Sequence, residues 1–287
     1  MKDLLRNTLL VSRPGLWATQ LWFYLLPLGG RRLLDEPTFW LGAFYVMFPL
    51  SHLLYGWNDT ADYQTDQQNP RKGNLLFGAR LGRAELRRLP LQIAVVQVPF
   101  ALAFALLIGP RFLLWVAAVV AVNTAYNHPR VGLKGRPGWD LICQAGYLLV
   151  FVLSSWLNEV PQLPWPAFVF GALFAMHSHL FHEVTDLAPD AAAGRRTTAV
   201  VIGAARSKLL VAVMLLVESA LVLAYFDSLM VAAFLGLAGI GFPLDAWLRR
   251  NQTISTDALK VVFVIWNVVA ITSMYWVWRE ALFAELG

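Results

Sequence analysis

LPLQIAVVQVPFALAFALLIGP, residues Leu89–Pro110, carries no Asp, Glu, Lys or Arg along its whole length. A helix crosses about 30 Å of hydrocarbon with roughly 20 mostly apolar residues, so this stretch is long enough to span a bilayer. It is not isolated. Pro14–Gly30, Pro37–Trp57, Phe112–Asn127, Leu141–Asn158, Val160–His182, Ser228–Leu244 and Val261–Trp278 are equally free of charge, and Leu209–Phe226 is interrupted only by Glu218. The pattern predicts an all-α integral membrane protein with about nine transmembrane helices. The division between the third and fourth spans rests on Gly109–Pro110, a pair that ends helices. Pro14–Gly30 reads as a span rather than a cleavable leader, because further spans follow and no small-residue cleavage site does.

Composition agrees. Of 287 residues, 58% are apolar and 14% charged, where a soluble domain carries about 25% charged residues. The mean hydropathy of +0.55 points the same way. This argues against a soluble enzyme, a disordered chain and a nucleic-acid binder. A single cysteine, Cys143, excludes a disulfide framework and a thiolate metal site.

The net charge of +5 is largely topological. Of the 23 Lys and Arg residues, only Arg31, Arg32, Arg111 and Arg279 fall after odd-numbered spans. The rest lie in the N-terminal segment or after even-numbered spans. The positive-inside rule therefore places the N-terminus and the loops after even-numbered spans in the cytoplasm.

Acidic residues cluster twice, both times on that side. After span two the sequence reads Asn58-Asp59-Thr60-Ala61-Asp62-Tyr63-Gln64-Thr65-Asp66. If the helix runs on, Asn58, Asp62 and Asp66 form one stripe at i, i+4 and i+8. After span six it reads His182-Glu183-Val184-Thr185-Asp186-Leu187-Ala188-Pro189-Asp190. Asp186 and Asp190 again stand four apart, with Glu183 and His179 behind them on a similar face. Like charges at this spacing repel, and a divalent cation reverses the sign of that interaction. Mg²⁺ prefers carboxylate oxygens and commonly completes its shell with substrate phosphates. Two such stripes at equivalent topological positions fit a Mg²⁺–diphosphate clamp better than helix capping or surface solvation.

Matching basic and small residues follow each stripe. Arg71-Lys72-Gly73-Asn74 and Gly78-Ala79-Arg80 follow the first; Arg195-Arg196-Thr197-Thr198 and Gly203-Ala204-Ala205-Arg206 follow the second. Residues 14–127 and 141–244 thus read as two copies of a four-helix unit within a single 1–287 domain, with 261–278 added. Arg71, Lys72, Arg195 and Arg196 are candidates to hold diphosphate oxygens, the competing reading being plain positive-inside anchors. A third cytoplasmic loop, Tyr126-Asn127-His128-Pro129-Arg130 to Lys134-Gly135-Arg136-Pro137-Gly138-Trp139-Asp140, could close over the same group. Tyr126 there is a phosphate partner or an interfacial anchor. His177, His179 and His182 lack the spacing of a zinc set and read as cavity-lining or packing residues, with His179 or His182 able to touch substrate. Glu218 is expected to pair or to face a polar cavity.

Asn58-Asp59-x-x-Asp62-x-x-x-Asp66 followed by Asp186-x-x-x-Asp190 resembles the signature of the UbiA superfamily of intramembrane prenyltransferases, and the resemblance covers essentially the whole chain. It implies a helical bundle around a lipid-accessible central cavity capped by cytoplasmic loops. It further implies transfer of a prenyl group from an allylic diphosphate to a hydrophobic acceptor. Asn58, Asp62, Asp66, Asp186 and Asp190 then match metal and diphosphate ligands, with two Mg²⁺ ions bridging the diphosphate. Lys134 and Tyr126 fall where the family has a diphosphate-contacting Lys and a nearby Tyr. Asp59, His179, His182 and Glu183 are further candidates beside these. Asp59-x-x-Asp62-Tyr63 with Asn69-Pro70-Arg71-Lys72-Gly73 is similar to the carotenoid branch, the lycopene elongases. His182-Glu183-Val184-Thr185 departs from it, standing where that branch has a Ser-Ala-x-Pro-like stretch. Aromatic and polyene acceptors both stay open.

The expected partners are a prenyl diphosphate, a hydrophobic acceptor and membrane lipid, with no nucleic acid. The expected location is a bacterial or archaeal cytoplasmic membrane. A UbiA-type terpene cyclase would use the same clamp on the donor alone. A transporter would place its acids near the bilayer middle, whereas these stand at the helix mouths.

Overall fold

The computed structural model describes residues 2–29, 31, 35–128, 130–226, 228–250 and 252–280. Gly30, Arg32 and Pro129 lie outside them, as do the side chains of Lys2 and Arg279. The helices are α1 Lys2–Val11, α2 Trp17–Leu25, α3 Pro37–Tyr45, α4 Ser51–Ala61, α5 Tyr63–Gln68, α6 Arg83–Ile108 and α7 Arg111–Asn127. They continue with α8 Trp139–Ile142, α9 Leu149–Leu157, α10 Trp165–Ala192, α11 Thr198–Ile202, α12 Ala204–Tyr225, α13 Leu229–Leu248 and α14 Thr256–Glu280. Among the described residues the only β-type pairing is an isolated bridge between Asn74 and Gly78. Six stretches there are long and apolar enough to cross a membrane: Pro37–Ala61, Arg83–Ile108, Trp139–Leu157, Ala204–Tyr225, Leu229–Leu248 and Thr256–Met274.

The proline and glycine positions explain the irregularities. Gly109 at φ 62 ends α6, and α7 begins directly after Pro110, so the third and fourth spans divide where the sequence places the break. Pro49 cannot donate to the helix ladder. Residues Val46–Leu50 around it adopt a π segment between α3 and α4. Gln97 of α6 donates to the Pro49 carbonyl at 2.6 Å, and Tyr45 donates to Gln97 at 3.0 Å. The first predicted span is less regular than expected: α2 gives way to a 3-10 turn, Leu26–Leu28, that contains Pro27.

The chain divides into two units. The first comprises Met1–Pro129, Leu149–Gln162 and Phe263–Ala281. Its centre is Tyr24, fully buried. The Tyr24 hydroxyl donates to Phe39 O at 3.1 Å and accepts from Asn158 at 2.9 Å, while Ser154 donates to Tyr24 O at 2.6 Å. Trp22 to Ser273 and Trp266 to Thr19, at 3.0 and 2.8 Å, tie α14 to α2. Gly42 lets α3 approach this centre, since a Cβ there would collide with the Tyr24 hydroxyl and ring. Gly42→Ala is therefore expected to destabilise the protein by about 1–3 kcal/mol through overpacking. Adding Tyr24→Phe, which removes the nearest of the clashing Tyr24 atoms and leaves the ring carbons, should restore part of the loss in thermal melts of the detergent-solubilised protein. An unchanged Gly42→Ala melt would rule out this close approach.

The second unit comprises Arg130–Leu148 and Leu163–Val262. Here α12 and α13 form a close antiparallel pair, in which a Cβ on Gly239 would lie 2.9 Å from Leu216 and Ser219 donates to Ala232 O at 2.7 Å. Small residues and a hydroxyl at the contact allow such an approach inside a membrane, where no hydrophobic force drives helices together. Lys208, buried in α12, holds the far end of α13. Its ammonium reaches Asp245 at 2.6 Å and the carbonyls of Arg249 and Gln252 at 3.1 and 2.9 Å.

Candidate active site

In the first unit α4 stops at Ala61, and Asp62 leaves the helical region at φ −104, ψ 12. The register nevertheless survives the break. The Asp62 N–H donates to Asn58 O at 3.0 Å and the Asp66 N–H to Asp62 O at 2.9 Å. Asn58, Asp62 and Asp66 thus stand on successive turns, as the spacing predicts, with a change of backbone direction at Asp62 in place of a continuous helix. Asp62 is buried and Asp66 half-buried.

The basic run that follows folds back on this segment. Asn69 precedes Pro70, which disfavours further helix. Arg71 N–H then donates to the Asn69 side chain at 3.0 Å, and the Asn74 carboxamide oxygen accepts from the N–H groups of Leu76 and Phe77 at 2.9 and 3.1 Å. Gly73 and Gly78 supply the left-handed corners, φ 101 and 85, and close the turn by Gly73 N–H to Gly78 O at 2.8 Å. The preceding turn, closed by the Lys72 N–H on Asn69 O at 3.3 Å, brings the Lys72 ammonium 2.8 Å from both Asp59 Oδ1 and Asp66 Oδ2. Arg71 stacks on Phe77, 5.3 Å from the ring centre.

Asp59, only 2% exposed, is also 3.3 Å from Arg13. Arg13 lies over the Tyr55 ring at 4.5 Å. The motif residue read from the sequence as a further candidate is therefore an anchor for two cations. Arg13 itself carried no sequence signal beyond its place before Pro14. Burial raises the Asp66 carboxyl from 3.8 to about 6; nearby Lys72 lowers it, and Asp59 and Asp62 push it up.

In the second unit α10 runs through Pro189 to Ala192, so the proline does not end the helix and Asp186 and Asp190 share its last turns. Gly194 turns the chain at φ 70. Arg195 then returns to Asp190, with its N–H on the Asp190 carbonyl at 2.9 Å and its guanidinium 3.4 Å from the carboxylate. Arg196 is exposed.

Glu183 is engaged elsewhere. It accepts from the Ala199 N–H at 3.0 Å and lies 3.2 Å from His179. His182 donates back to Ser178 O at 2.7 Å. Within the third loop Tyr126 is half-buried near the end of α7, and Lys134 is half-buried in the 3-10 turn Leu133–Gly135. The sequence reading did not single out Asp140, which is fully buried and bonded to Thr198.

The model of the UbiA prenyltransferase family matches residues 16–268. The chain belongs to that family. It is an integral membrane prenyltransferase of the UbiA type. A lycopene elongase/hydratase of Corynebacterium glutamicum is 28% identical over 260 residues, 88% of each chain. Another, from Haloarcula japonica, is 31% identical over 159 residues, 55% of this chain and 53% of its own. A UbiA homologue from Archaeoglobus fulgidus, solved bound to DMAPP and Mg²⁺, has the same fold with a TM-score of 0.69. Its identity is 19%, and the match covers 94% of this chain and 98% of that one. The structure described as the A. fulgidus homologue bound to GPP and Mg²⁺ gives 0.68 at 17% identity.

The UbiA chain's own residues suit a hard divalent cation. Within each unit, among the described residues, no three His, Cys, Asp or Glu side chains converge on one point. The donors are carboxylate and carboxamide oxygens, the ligand type Mg²⁺ selects. In the first unit the Lys72 ammonium sits between Asp59 and Asp66.

Proposed function

We propose that this UbiA prenyltransferase moves an allylic prenyl group from its diphosphate to a polyene acceptor within the membrane. The observation that carries the reading is the match to lycopene elongase/hydratase over 88% of both chains. Asn58, Asp62 and Asp66, with Asp186 and Asp190, are the residues to hold two Mg²⁺ ions on the diphosphate. Bound Mg²⁺ would supply Lewis-acid stabilisation of the departing charge.

Lys72, Arg71, Arg195 and Arg196, with Lys134 and Tyr126, then contact the non-bridging oxygens. Lys72 is already drawn to carboxylates at this point, and a diphosphate offers it a more concentrated negative charge. The apolar spans keep water from the allylic cation formed when the C–O bond breaks. The scarcity of charge in those spans suits a reaction driven by ionisation. The carboxylate motifs are assigned to the cytoplasmic face, a reading the Lys and Arg distribution supports, and the two four-helix segments, 14–127 and 141–244, are proposed to be repeats.

The test is mass spectrometry of products from the purified protein in lipid, given Mg²⁺, allylic diphosphates of several lengths, and polyene and aromatic acceptors separately. A prenylated polyene is the expected product. An aromatic product alone would overturn the acceptor assignment, and a hydrocarbon or alcohol from the donor alone would make the protein a cyclase. Lys72→Met is expected to raise the KM for the diphosphate about tenfold, in line with loss of one charge-assisted contact.

A further inference from the structure

Asp140, Thr198 and Glu183 form a buried polar hub within the second unit that neither the family assignment nor the carboxylate motifs account for. Asp140 is 0% exposed and Thr198 5%. One Asp140 oxygen accepts the Thr198 N–H at 2.6 Å; the other accepts the Thr198 hydroxyl and, at 2.9 Å, the Leu141 N–H. The Thr198 hydroxyl in turn accepts the Gly138 N–H at 2.7 Å. Glu183 takes the next amide, that of Ala199. The backbone donors opening α11 are thus held by two carboxylates from different parts of the chain. Burial makes each of these bonds costly to lose.

What the hub connects gives it meaning. On one side, Arg136 N–H to Leu133 O and Asp140 N–H to Arg136 O, at 2.9 and 3.1 Å, carry the Lys134 turn directly into α8. On the other, Thr198 follows Arg195 and Arg196 in the short segment that leaves Asp190. Glu183 belongs to α10, upstream of Asp186 and Asp190. The Thr198 hydroxyl ties the start of α11 to the Gly138–Asp140 corner.

We propose that the Asp140–Thr198–Glu183 hub is a latch that positions two diphosphate-binding segments, the Lys134 turn and the Arg195–Arg196 corner, as one unit. Its members are positioning residues and do not touch substrate. The proposal rests on the diphosphate role assigned above to Lys134 and Arg195.

The test uses the full-length protein in nanodiscs, with inorganic diphosphate plus Mg²⁺ as the probe in titration calorimetry and hydrogen exchange read in parallel. Thr198→Val keeps the shape and removes the hydroxyl. It is expected to weaken diphosphate binding tenfold or more and to accelerate exchange in peptides covering 131–141 and 195–200 together. Thr198→Ser, which restores the hydroxyl, is expected to return affinity to within about twofold of wild type. Should Thr198→Val not fold, Asp140→Asn carries the same expectation with a smaller, about threefold, loss. Wild-type binding with no change in either variant overturns the latch, as does faster exchange in only one of the two segments. Failure of the wild-type protein itself to bind diphosphate overturns the functional reading and the latch with it.

Discussion

Asp62→Ala is expected to lower prenyl transfer about a thousandfold or more, with the protein still folded. The magnitude follows from removing one charged contributor to leaving-group stabilisation in a water-poor site, which costs about 10²–10³ in rate even for a neutral hydrogen-bond donor. A metal ligand should cost at least as much. Asp62 carries this prediction better than its neighbours because of where it stands. Asp59 is held by Arg13 and Lys72, so Asp59→Asn removes an anchor and should reduce turnover only about tenfold while lowering the thermal midpoint. Asp66 shares Lys72 with Asp59, so its loss would disturb two things at once. Asp62 sits at the backbone break between α4 and α5, where alanine leaves the Asp62–Asn58 and Asp66–Asp62 backbone bonds untouched. Turnover by product mass spectrometry and folding by thermal melt separate the effects. An Asp62→Ala protein with wild-type turnover would remove the first motif from the chemistry.

The spans were legible because a membrane imposes a composition over a fixed length, and Gly109–Pro110 is a local punctuation that needs no tertiary context. The Asn58–Asp62–Asp66 and Asp186–Asp190 spacings were legible for the same reason, since helical period is local. What the sequence could not reveal depends on chain return. Lys72 reaches Asp59 only because the chain turns back after α5, through the Asn69–Lys72 turn. Arg13 meets Asp59 from across the first unit. Glu183 looks from its spacing like a member of the second stripe, and the approach of Ala199, whose N–H one of its oxygens accepts, shows only in the fold. Asp140 and Thr198 are ordinary loop residues in the sequence; they become a hub only when α11 comes to rest beside α8. Likewise the kink at Pro49 could be foreseen, but not the Gln97 carboxamide that satisfies the carbonyl there.

The same logic gives the largest stability prediction, at His177 and Glu218. Glu218 is 0% exposed, in the middle of α12, and its Oε1 lies 2.6 Å from His177 Nδ1 of α10. Its Oε2 has no hydrogen-bond partner among the described residues. The expectation that this acid pairs is thus met by one bond only. His177→Leu would remove it and leave a buried carboxyl without a strong partner. Breaking a buried pair from one side costs about 3–5 kcal/mol, whereas replacing both partners by apolar residues of similar volume is often neutral. His177→Leu is therefore expected to lower the thermal midpoint by about 10 °C, at roughly 2–4 °C per kcal/mol for a chain of this size. His177→Leu with Glu218→Leu should recover most of that loss. Tryptophan-fluorescence melts in detergent compare the three proteins directly. If the double variant melts as low as His177→Leu, then apolar packing between α10 and α12 cannot substitute for the pair, and the polar contact is needed to bring these helices together. If His177→Leu melts with wild type, the carboxyl has found another partner and the interface is less dry than the burial of Glu218 implies.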